Sequence, residues 1–518
     1  MKVLLVYAEF PITYWGFQYA TEMVGQKATL PPLGLLTLAA MLPDDWPVRL
    51  IDLNAHTLND TDIRWADVVM VGGMLIQTDS MVETLTRAHR LGKRTVVGGP
   101  APTTAPELFV AADVVFRGEA EGRIESLAEA IAASGRVTLD APEDRPDLTT
   151  SPIPRYNLLT LSDYSSVSLQ YSRGCPYLCE FCDIIEIFGR RPRVKDAEQV
   201  FEELDALYQV GYRGRIFFVD DNFIGNRRAV RKMLPSITAF QKERNYPFSF
   251  YTEATVDLAS DTKLTAEMVL AGFGSVFLGI ETPSAASLRE SGKTQNLRID
   301  LRSAIDILTE AGLEIMGGFI VGFDNDDQEI FRLQREFISD APIPLAMVGL
   351  LAALPGTALW RRLEKEGRLR SASTGDQFGR PNFEPNMDER VLLEGYAKLM
   401  AEVYSAESYY RRCRAHIDNA GPTPSPQALP SRARMKDFGR SVVKIGILSP
   451  RRRQFWSLLA HTARRSPEKL EWMIIHAFQG EHLIRYTDEH VIPRLEEAIR
   501  EAGRESARAA EDRGVAAR

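Results

Sequence analysis

Apolar residues in the first quarter of the chain occur in short runs rich in Val, Leu and Ile, separated by longer amphipathic stretches. The runs expected to form strands are 3–7, 48–52, 68–72, 95–97 and 114–116. Alternation of strands with helical patterns predicts a parallel sheet with helices on both faces, over residues 1–125. Such sheets bind ligands at the carboxyl ends of their strands, where Gly72-Gly73 and Gly98-Gly99 lie. Taken alone, the two glycine pairs are also consistent with tight turns.

Repeated prolines interrupt the pattern between residues 126 and 160, which predicts an extended linker. Residues 161–375 then alternate again, with strands expected at 167–171, 215–219, 248–254, 275–280, 314–321 and 345–351. Strand–helix repeats of this kind predict a partial (β/α)6 barrel of the TIM type, whose chemistry gathers at the carboxyl ends of the strands.

The strand pattern stops after residue 375, and residues 376–505 predict an all-helical C-terminal domain. Helices are expected over 388–415 and 435–505, separated by a proline-rich loop at 421–426. The tail 506–518 lacks large apolar residues and is expected to fray. The predicted fold class is therefore α/β, with a helical domain after the second α/β unit.

Composition and charge narrow the class of protein. The 518 residues are 45% hydrophobic and 25% charged, which is typical of globular chains. The net charge of −8 gives no sign of the basic surface that nucleic-acid-binding proteins usually have, so nucleic acid is not an expected partner. The chain begins with a short strand pattern and has no apolar stretch long enough to cross a membrane. We therefore expect a cytoplasmic protein, with contact at a membrane surface left open.

Three of the four cysteines lie within eight residues, directly after the first predicted barrel strand: Cys175, Cys179 and Cys182. Three thiolates on one loop can ligate three irons of a [4Fe–4S] cluster and leave the fourth iron open. A cluster that only carries electrons normally takes a fourth cysteine. The remaining one, Cys413, stands in a charged run and is interpreted as a lone thiol. Zinc is not favoured, because it needs four ligands and no histidine is close in sequence.

The segment Cys-x3-Cys-x2-Cys, with Phe181 before the last cysteine, resembles the signature of the radical SAM superfamily. The resemblance implies that S-adenosylmethionine (SAM) chelates the open iron, and that its reductive cleavage gives a 5′-deoxyadenosyl radical. It also implies SAM contacts on the cysteine loop and at successive strand ends: Phe181, Asp220, Asp221, Glu253, Glu281 and Gly322. Helix capping by the carboxylates and backbone crowding at the glycine remain alternative explanations.

The first domain resembles the Rossmann-like cobalamin-binding domain that precedes many radical SAM barrels. Gly73 and Leu75 stand where corrinoid proteins often have Ser-x-Leu, and Gly98-Gly99 stands where they have a glycine pair. The resemblance therefore implies cobalamin contacts at these positions. The motif that supplies a histidine to cobalt is absent, and His56 follows the second strand, so it is not assigned. A domain that binds nothing remains the alternative, since a fold does not fix its ligand.

The resemblance extends over nearly the whole chain, including segments 14–18, 31–35, 189–195 and 354–360. They resemble the cobalamin-dependent radical SAM subgroup of hopanoid and bacteriochlorophyllide methylases, which has a helical C-terminal domain. This implies a C-methyltransferase acting on an unactivated carbon of a small or lipid-like substrate, with flavodoxin or ferredoxin as reductant. The alternatives are radical cyclisation, rearrangement or carbon–carbon joining, and a non-catalytic electron carrier. No residue is assigned as an acid or base.

The C-terminal helices bear on substrate delivery. Segments 451–459 and 470–475 combine cations with tryptophan and aliphatic residues. Such a pattern can form an interfacial surface that contacts a membrane. It is also consistent with helices that pack on the barrel and expose a basic rim.

Overall fold

The computed structural model describes residues 1–423 and 438–516, with side chains as far as residue 505. Within these residues the N-terminal sheet has six parallel strands in the order β2-β1-β3-β4-β5-β6. The strands are β1 Val3–Tyr7, β2 Val48–Asp52, β3 Val68–Gly72, β4 Arg94–Gly98, β5 Val114–Phe116 and β6 Val137–Leu139. The predicted parallel sheet is confirmed, and β6 is a strand that the sequence pattern did not predict.

Alternate residues of each strand face opposite layers of helices. Val3 and Leu5 of β1 belong to a different hydrophobic cluster from Leu4 and Val6. The helices of this domain are Leu33–Met41, Asp60–Trp65, Thr78–Arg90, Pro100–Thr104 and Ile124–Ala132. The sheet is therefore covered on both faces, as strand–helix alternation predicts.

The first domain extends further than predicted. Helix Ile124–Ala132 and strand β6 occupy the beginning of the segment 126–160 that was expected to be a linker. Because β6 pairs in parallel with β5, residues as far as Leu139 belong to the sheet. The boundary at 125 is therefore too early. β6 escaped prediction because it is a short, half-exposed edge strand without an apolar run.

The second sheet forms the predicted partial barrel. The strands from the linker onward are β7 Ser166–Leu169, β8 Ser172–Arg173, β9 Arg193–Val194, β10 Gly214–Phe218, β11 Phe248–Ala254, β12 Phe273–Glu281, β13 Glu314–Val321 and β14 Leu345–Leu350. The parallel order is β14-β13-β12-β11-β10-β7, so each strand of this sheet pairs with the next strand of the same sheet along the chain. Strands β8 and β9 form a short antiparallel pair on either side of the cysteines. The connecting helices are Ala197–Gln209, Arg227–Glu243, Thr262–Ala271, Leu301–Glu310, Glu329–Asp340 and Ala358–Lys365.

The C-terminal domain is helical, as predicted. Its helices are Glu389–Val403, Ala406–Asn419, Arg452–Arg465, Leu470–Tyr486 and Ile492–Ala516, with π-helical turns at Val442–Leu448 and Thr487–Val491. A helix that follows β1, Gln18–Val24, packs against Leu470–Tyr486 and ties the two ends of the chain together. Among the described helices, none is long and apolar enough to cross a bilayer.

Two predictions about the C-terminal part need comment. The backbone of the tail is helical as far as Ala516, beyond the end at residue 505 that the sequence pattern gave for the helices, while fraying of the tail stays a prediction. Its Ala, Arg and Glu residues have high helix propensity, which outweighs the lack of large apolar side chains. Of the predicted loop 421–426, residues 424–426 lie outside the described part of the chain.

Candidate active site

The three clustered cysteines lie on one loop between β8 and helix Ile184–Ile187. The loop begins at Gly174, which has φ +95°. A Cβ there would come within 2.8 Å of the Gly189 carbonyl oxygen and 3.0 Å of the Arg191 carbonyl oxygen. The lack of a side chain at Gly174 therefore lets the start of the loop pack against the backbone of Gly189 and Arg191. The Cys175 amide donates to Gly189 across the same contact, at 3.3 Å.

Polar side chains from other loops reach the cysteine sulfurs. The amide nitrogen of Asn222 lies 3.9 Å from Cys175 Sγ, and that of Gln295 lies 3.8 Å from Cys179 Sγ. The buried oxygens of both amides have no hydrogen-bond partner among the described residues. Three thiols on one loop with N–H donors aimed at sulfur, and no fourth cysteine nearby, fit a [4Fe–4S] cluster with one open iron.

Burial raises the pKa of the Cys175 and Cys182 thiols, while the ammonium of Lys293 acts in the opposite direction on both. Iron binding requires thiolates, so it releases these protons. A nearby cation offsets part of the resulting negative charge. Lys293 therefore contributes part of the positive charge beside the cysteine loop.

The two aspartates that follow β10 hold the beginning of the cysteine loop. Asp220 is fully buried, and its Oδ1 accepts from the backbone amides of Tyr171 and Ser172. Asp221 accepts from the Gly174 amide at 2.8 Å. Burial raises the pKa of Asp220 to about 7 and that of Asp221 to about 6. Both residues position the loop, and their contact with SAM stays a prediction.

Glu253 lies at the end of β11, beside these aspartates. Burial and the negative charges of Asp221 and Asp220 raise its pKa to about 8, and Lys293 acts in the opposite direction. Carboxylates placed so close together favour a bound cation, which would lower their pKa values. The amino group and the sulfonium of SAM are positively charged. The surroundings of Glu253 therefore fit the role that was predicted for it.

Glu281 ends β12 in a buried ion pair that the sequence analysis did not foresee. Its Oε1 lies 2.6 Å from Nζ of Lys293, and both side chains are about nine-tenths buried. Glu281 has φ +65°, an uncommon conformation for a residue with a side chain and one that occurs often at functional sites. A Cβ on Gly279 would come within 2.4 Å of the Glu281 carboxylate, so this glycine leaves room for the pair. The only sign of Lys293 in the sequence was that it belongs to a run of polar residues, 291–296.

Phe181 and Gly322 lie toward β13. The ring centroid of Phe181 is 6.1 Å from that of Phe323, and Lys293 Nζ lies 6.0 Å from the Phe181 ring. Gly322 has φ +103°, and its amide donates to Asp326 at 2.9 Å. Phe181 thus joins the group around Lys293, whereas the conformation of Gly322 is explained by the turn at the end of β13.

The residues predicted for cobalamin lie at the carboxyl ends of β3 and β4, and Leu75 begins the turn after β3. A Cβ on Gly99 would lie 3.2 Å from the Gly73 carbonyl oxygen, so the two loops pack closely. A Cβ on Gly73 would lie 2.8 Å from Met81 Sδ. Close packing of the two loops is therefore enough to explain why glycine occupies positions 73 and 99, without a bound cobalamin. Gly98 is less crowded, since a Cβ there would meet nothing closer than 3.7 Å.

The edge that carries these glycines contacts the cysteine loop. Helix Pro100–Thr104, which follows Gly98-Gly99, packs against helix Ile184–Ile187, which follows the cysteines. After β5, Glu119 lies 2.6 Å from Arg173 and 2.8 Å from Arg193, and Glu121 lies 2.9 Å from Arg173. All four side chains are largely buried. The chain thus brings the predicted cobalamin edge and the cluster loop together.

Comparison with known proteins agrees with this architecture. Family models match at residues 26–128 for a B12 binding domain, 169–336 for the radical SAM superfamily, and 357–493 for a domain of unknown function, DUF4070. The chain is 39% identical over 494 residues to an uncharacterized methyltransferase of Synechocystis sp., covering 94% of this chain and 92% of that one. It is 33% identical over 500 residues to the hopanoid C-2 methylase of Rhodopseudomonas palustris, covering 94% of each. The chain belongs to the cobalamin-dependent radical SAM methyltransferase family.

The cobalamin-dependent radical SAM enzyme OxsB, solved with aqua-cobalamin and SAM bound, has the same fold. It aligns with a TM-score of 0.59 at 17% identity, over 97% of this chain and 83% of that one. The cofactors of this methyltransferase are cobalamin, SAM and a [4Fe–4S] cluster. An electron carrier without catalysis is not supported.

Two residues that the sequence analysis did not assign to a cofactor lie in other surroundings. His56 pairs with Asp163, 3.2 Å away, near the protein surface. Cys413 is fully buried in helix Ala406–Asn419, where burial raises its pKa to about 12. The thiol of Cys413 makes a hydrogen bond with the hydroxyl of Tyr409. This cysteine therefore lies in the helical core and not on the cysteine loop.

Proposed function

We propose that this enzyme methylates an unactivated carbon of a small or lipid-like substrate. The contact between the predicted cobalamin edge and the cysteine loop carries the proposal, because methyl transfer of this kind needs both cofactors at one substrate. The likeness to a hopanoid C-2 methylase over 94% of both chains supports a lipid-like class.

When bound, cobalamin supplies the methyl group, and the cluster with SAM supplies the radical that removes hydrogen from the substrate. The residues of the chain hold and orient these groups. The thiols of Cys175, Cys179 and Cys182 hold the iron, and the amides of Asn222 and Gln295 donate to sulfur. Glu253 accepts hydrogen bonds from the SAM amino group in this proposal.

An apolar wall beside the site excludes water from the radical reaction. Phe181 packs against a hydrophobic cluster built on Phe323, Leu351, Ala353 and Leu359. Radicals abstract hydrogen from many donors, so a site of this kind gains from a dry lining. In this proposal the same lining accepts the apolar part of a lipid-like substrate.

Two partners follow from the proposed reaction. The cluster needs one-electron reduction, and we propose a flavodoxin or ferredoxin as the donor. A lipid-like substrate resides in membranes, so we also propose contact between the enzyme and a membrane surface through the C-terminal helices.

The test begins with anaerobic purification and quantification of iron, sulfide and corrinoid in the enzyme. Products of SAM turnover are then measured with lipid extracts of the source cells and of a deletion strain. We expect S-adenosylhomocysteine and 5′-deoxyadenosine together, with one methylated lipid missing from the deletion strain. 5′-Deoxyadenosine without S-adenosylhomocysteine, given the true substrate, would instead favour cyclisation, rearrangement or carbon–carbon joining.

A further inference from the structure

One face of the C-terminal domain exposes large apolar side chains. On the π-helical turn Val442–Leu448, Val443 is 50% exposed, Ile447 is 55% exposed and Leu448 is 71% exposed. Trp456, on the adjoining helix Arg452–Arg465, is 45% exposed. We call these four side chains the interfacial surface. Single exposed apolar residues are ordinary, whereas a continuous group of them marks a site of interaction.

Contacts between the π-helical turn and helix Arg452–Arg465 hold the interfacial surface in place. The indole N–H of Trp456 donates to the Gly446 carbonyl oxygen at 2.8 Å, which fixes the ring against the π-helical turn. A Cβ on Gly446 would lie 3.0 Å from the ring of Phe455, so turn and helix are in close contact. Ile445 and Phe455 are fully buried beneath them. The exposed side chains are therefore presented by a packed support.

The segment that carries this surface is basic, although Arg451 pairs with Glu481 and His461 pairs with Asp418 of neighbouring helices. Residues 438–467 contain seven Lys or Arg residues and no Asp or Glu, in a chain with a net charge of −8. Lys444, Arg452 and Arg453 are exposed beside the apolar side chains. Further along the same helix, an open cavity of about 290 Å³ is lined by Arg414, Ser457, His461, Arg464 and Arg465. Cations that flank exposed aliphatic and Trp side chains are typical of helices that lie in a membrane interface.

We propose that the interfacial surface docks the enzyme on an anionic phospholipid membrane. Its apolar side chains enter the acyl boundary, and the arginine-lined cavity receives a lipid phosphate. The biological purpose rests on the proposed function, since a lipid-like substrate would be taken from that membrane. An acidic protein would satisfy the cations but would leave Ile447 and Leu448 without an apolar environment, so the membrane is the better match.

The test is co-sedimentation of the full-length, reconstituted enzyme with vesicles. One set is pure phosphatidylcholine, and the other is equal parts phosphatidylcholine and phosphatidylglycerol. We expect binding to the anionic vesicles that weakens as salt is raised. Arg452→Gln with Arg453→Gln should lower the partition constant about twenty-five-fold, since each cation near an anionic surface contributes about five-fold. Leu448→Asp should lower it at least about ten-fold, through lost apolar burial.

Matched controls change exposed residues elsewhere. Val110→Asp replaces an aliphatic residue that is 70% exposed, and Arg90→Gln with Arg228→Gln removes two exposed cations. Both should bind vesicles like the wild type. Equal binding by all variants, or no binding to anionic vesicles, would overturn the proposal. So would capture of an acidic flavodoxin by the arginines without vesicle binding.

The readout is independent of the proposed reaction. Vesicle binding does not require turnover, so it can succeed even if no methylated product is found. Cleavage of SAM by reduced enzyme in detergent solution should be equal in the wild type and in every variant. A variant that loses this cleavage has a damaged active site, and Leu448→Ser would then replace it in the binding assay.

Discussion

The buried charges between the cobalamin domain and the cysteine loop give the sharpest prediction. Arg173 stands immediately before Gly174 and Cys175, and its guanidinium bridges Glu119 and Glu121. In Arg173→Met, Glu119 keeps Arg193 as a partner, whereas Glu121 keeps the hydroxyl of Ser151 at 3.0 Å and its own backbone amide but no cation. The substitution therefore leaves one buried carboxylate without a cation.

The expected cost follows from that unpaired charge. Removing one partner of a buried ion pair typically destabilises a protein by ~3–5 kcal/mol. With a urea dependence of ~2–3 kcal/mol per M, the unfolding midpoint should fall by about 1–2.5 M. Burial by itself would raise the pKa of Glu121, but Arg173 reverses this and the pKa is lowered. The wild type thus loses this stabilisation as pH falls through the lowered pKa. The difference between wild type and variant should shrink in acid.

The assay is urea unfolding followed by tryptophan fluorescence, at neutral pH and again below pH 4.5, the ordinary pKa of glutamate. The control is Arg390→Met, which removes an exposed pair with Glu394 and should be nearly neutral. Glu121→Gln in the Arg173→Met background should restore part of the loss, because the unpaired charge is gone. If Arg173→Met costs no more than the control, the buried bridge does not hold the two domains together as argued.

Other predictions concern the active site. Cys179→Ala should lose the iron and the visible absorbance of the cluster, whereas Cys413→Ala should keep both; equal loss would contradict the three-cysteine site. Glu253 holds its proton more tightly when folded, so stability should fall between pH 4.5 and about 8. Urea unfolding should therefore show that Glu253→Gln stabilises the metal-free enzyme near pH 8 and does not stabilise it near pH 4.5. Lys293→Met should destabilise the enzyme by ~3–5 kcal/mol, and Glu281→Gln in that background should recover much of it; no recovery would rule out the ion pair as the cause.

Local patterns predicted most of the fold. Parallel strands buried on both faces consist of continuous apolar runs, so β1, β3 and β5 begin and end where the sequence placed them. The edge strand β2 was also placed correctly, because Val48, Leu50 and Ile51 still mark it as a strand. The edge strand β6 has no such run and could not be recognised. The final helix was missed in part because helix propensity in its last turns does not depend on apolar residues.

The sequence by itself determined the chemistry of the cluster loop, because three thiols and a glycine turn are encoded by neighbouring residues. It also indicated which strand ends carry carboxylates, since parallel strands place their ends at one edge. Only the tertiary structure decided what those carboxylates contact. Asp220 holds the loop backbone, Glu281 pairs with Lys293, and Arg173 bridges to Glu119 from another domain. These contacts join residues 12 to 54 positions apart, and no periodicity in the sequence records which distant charges the fold buries together.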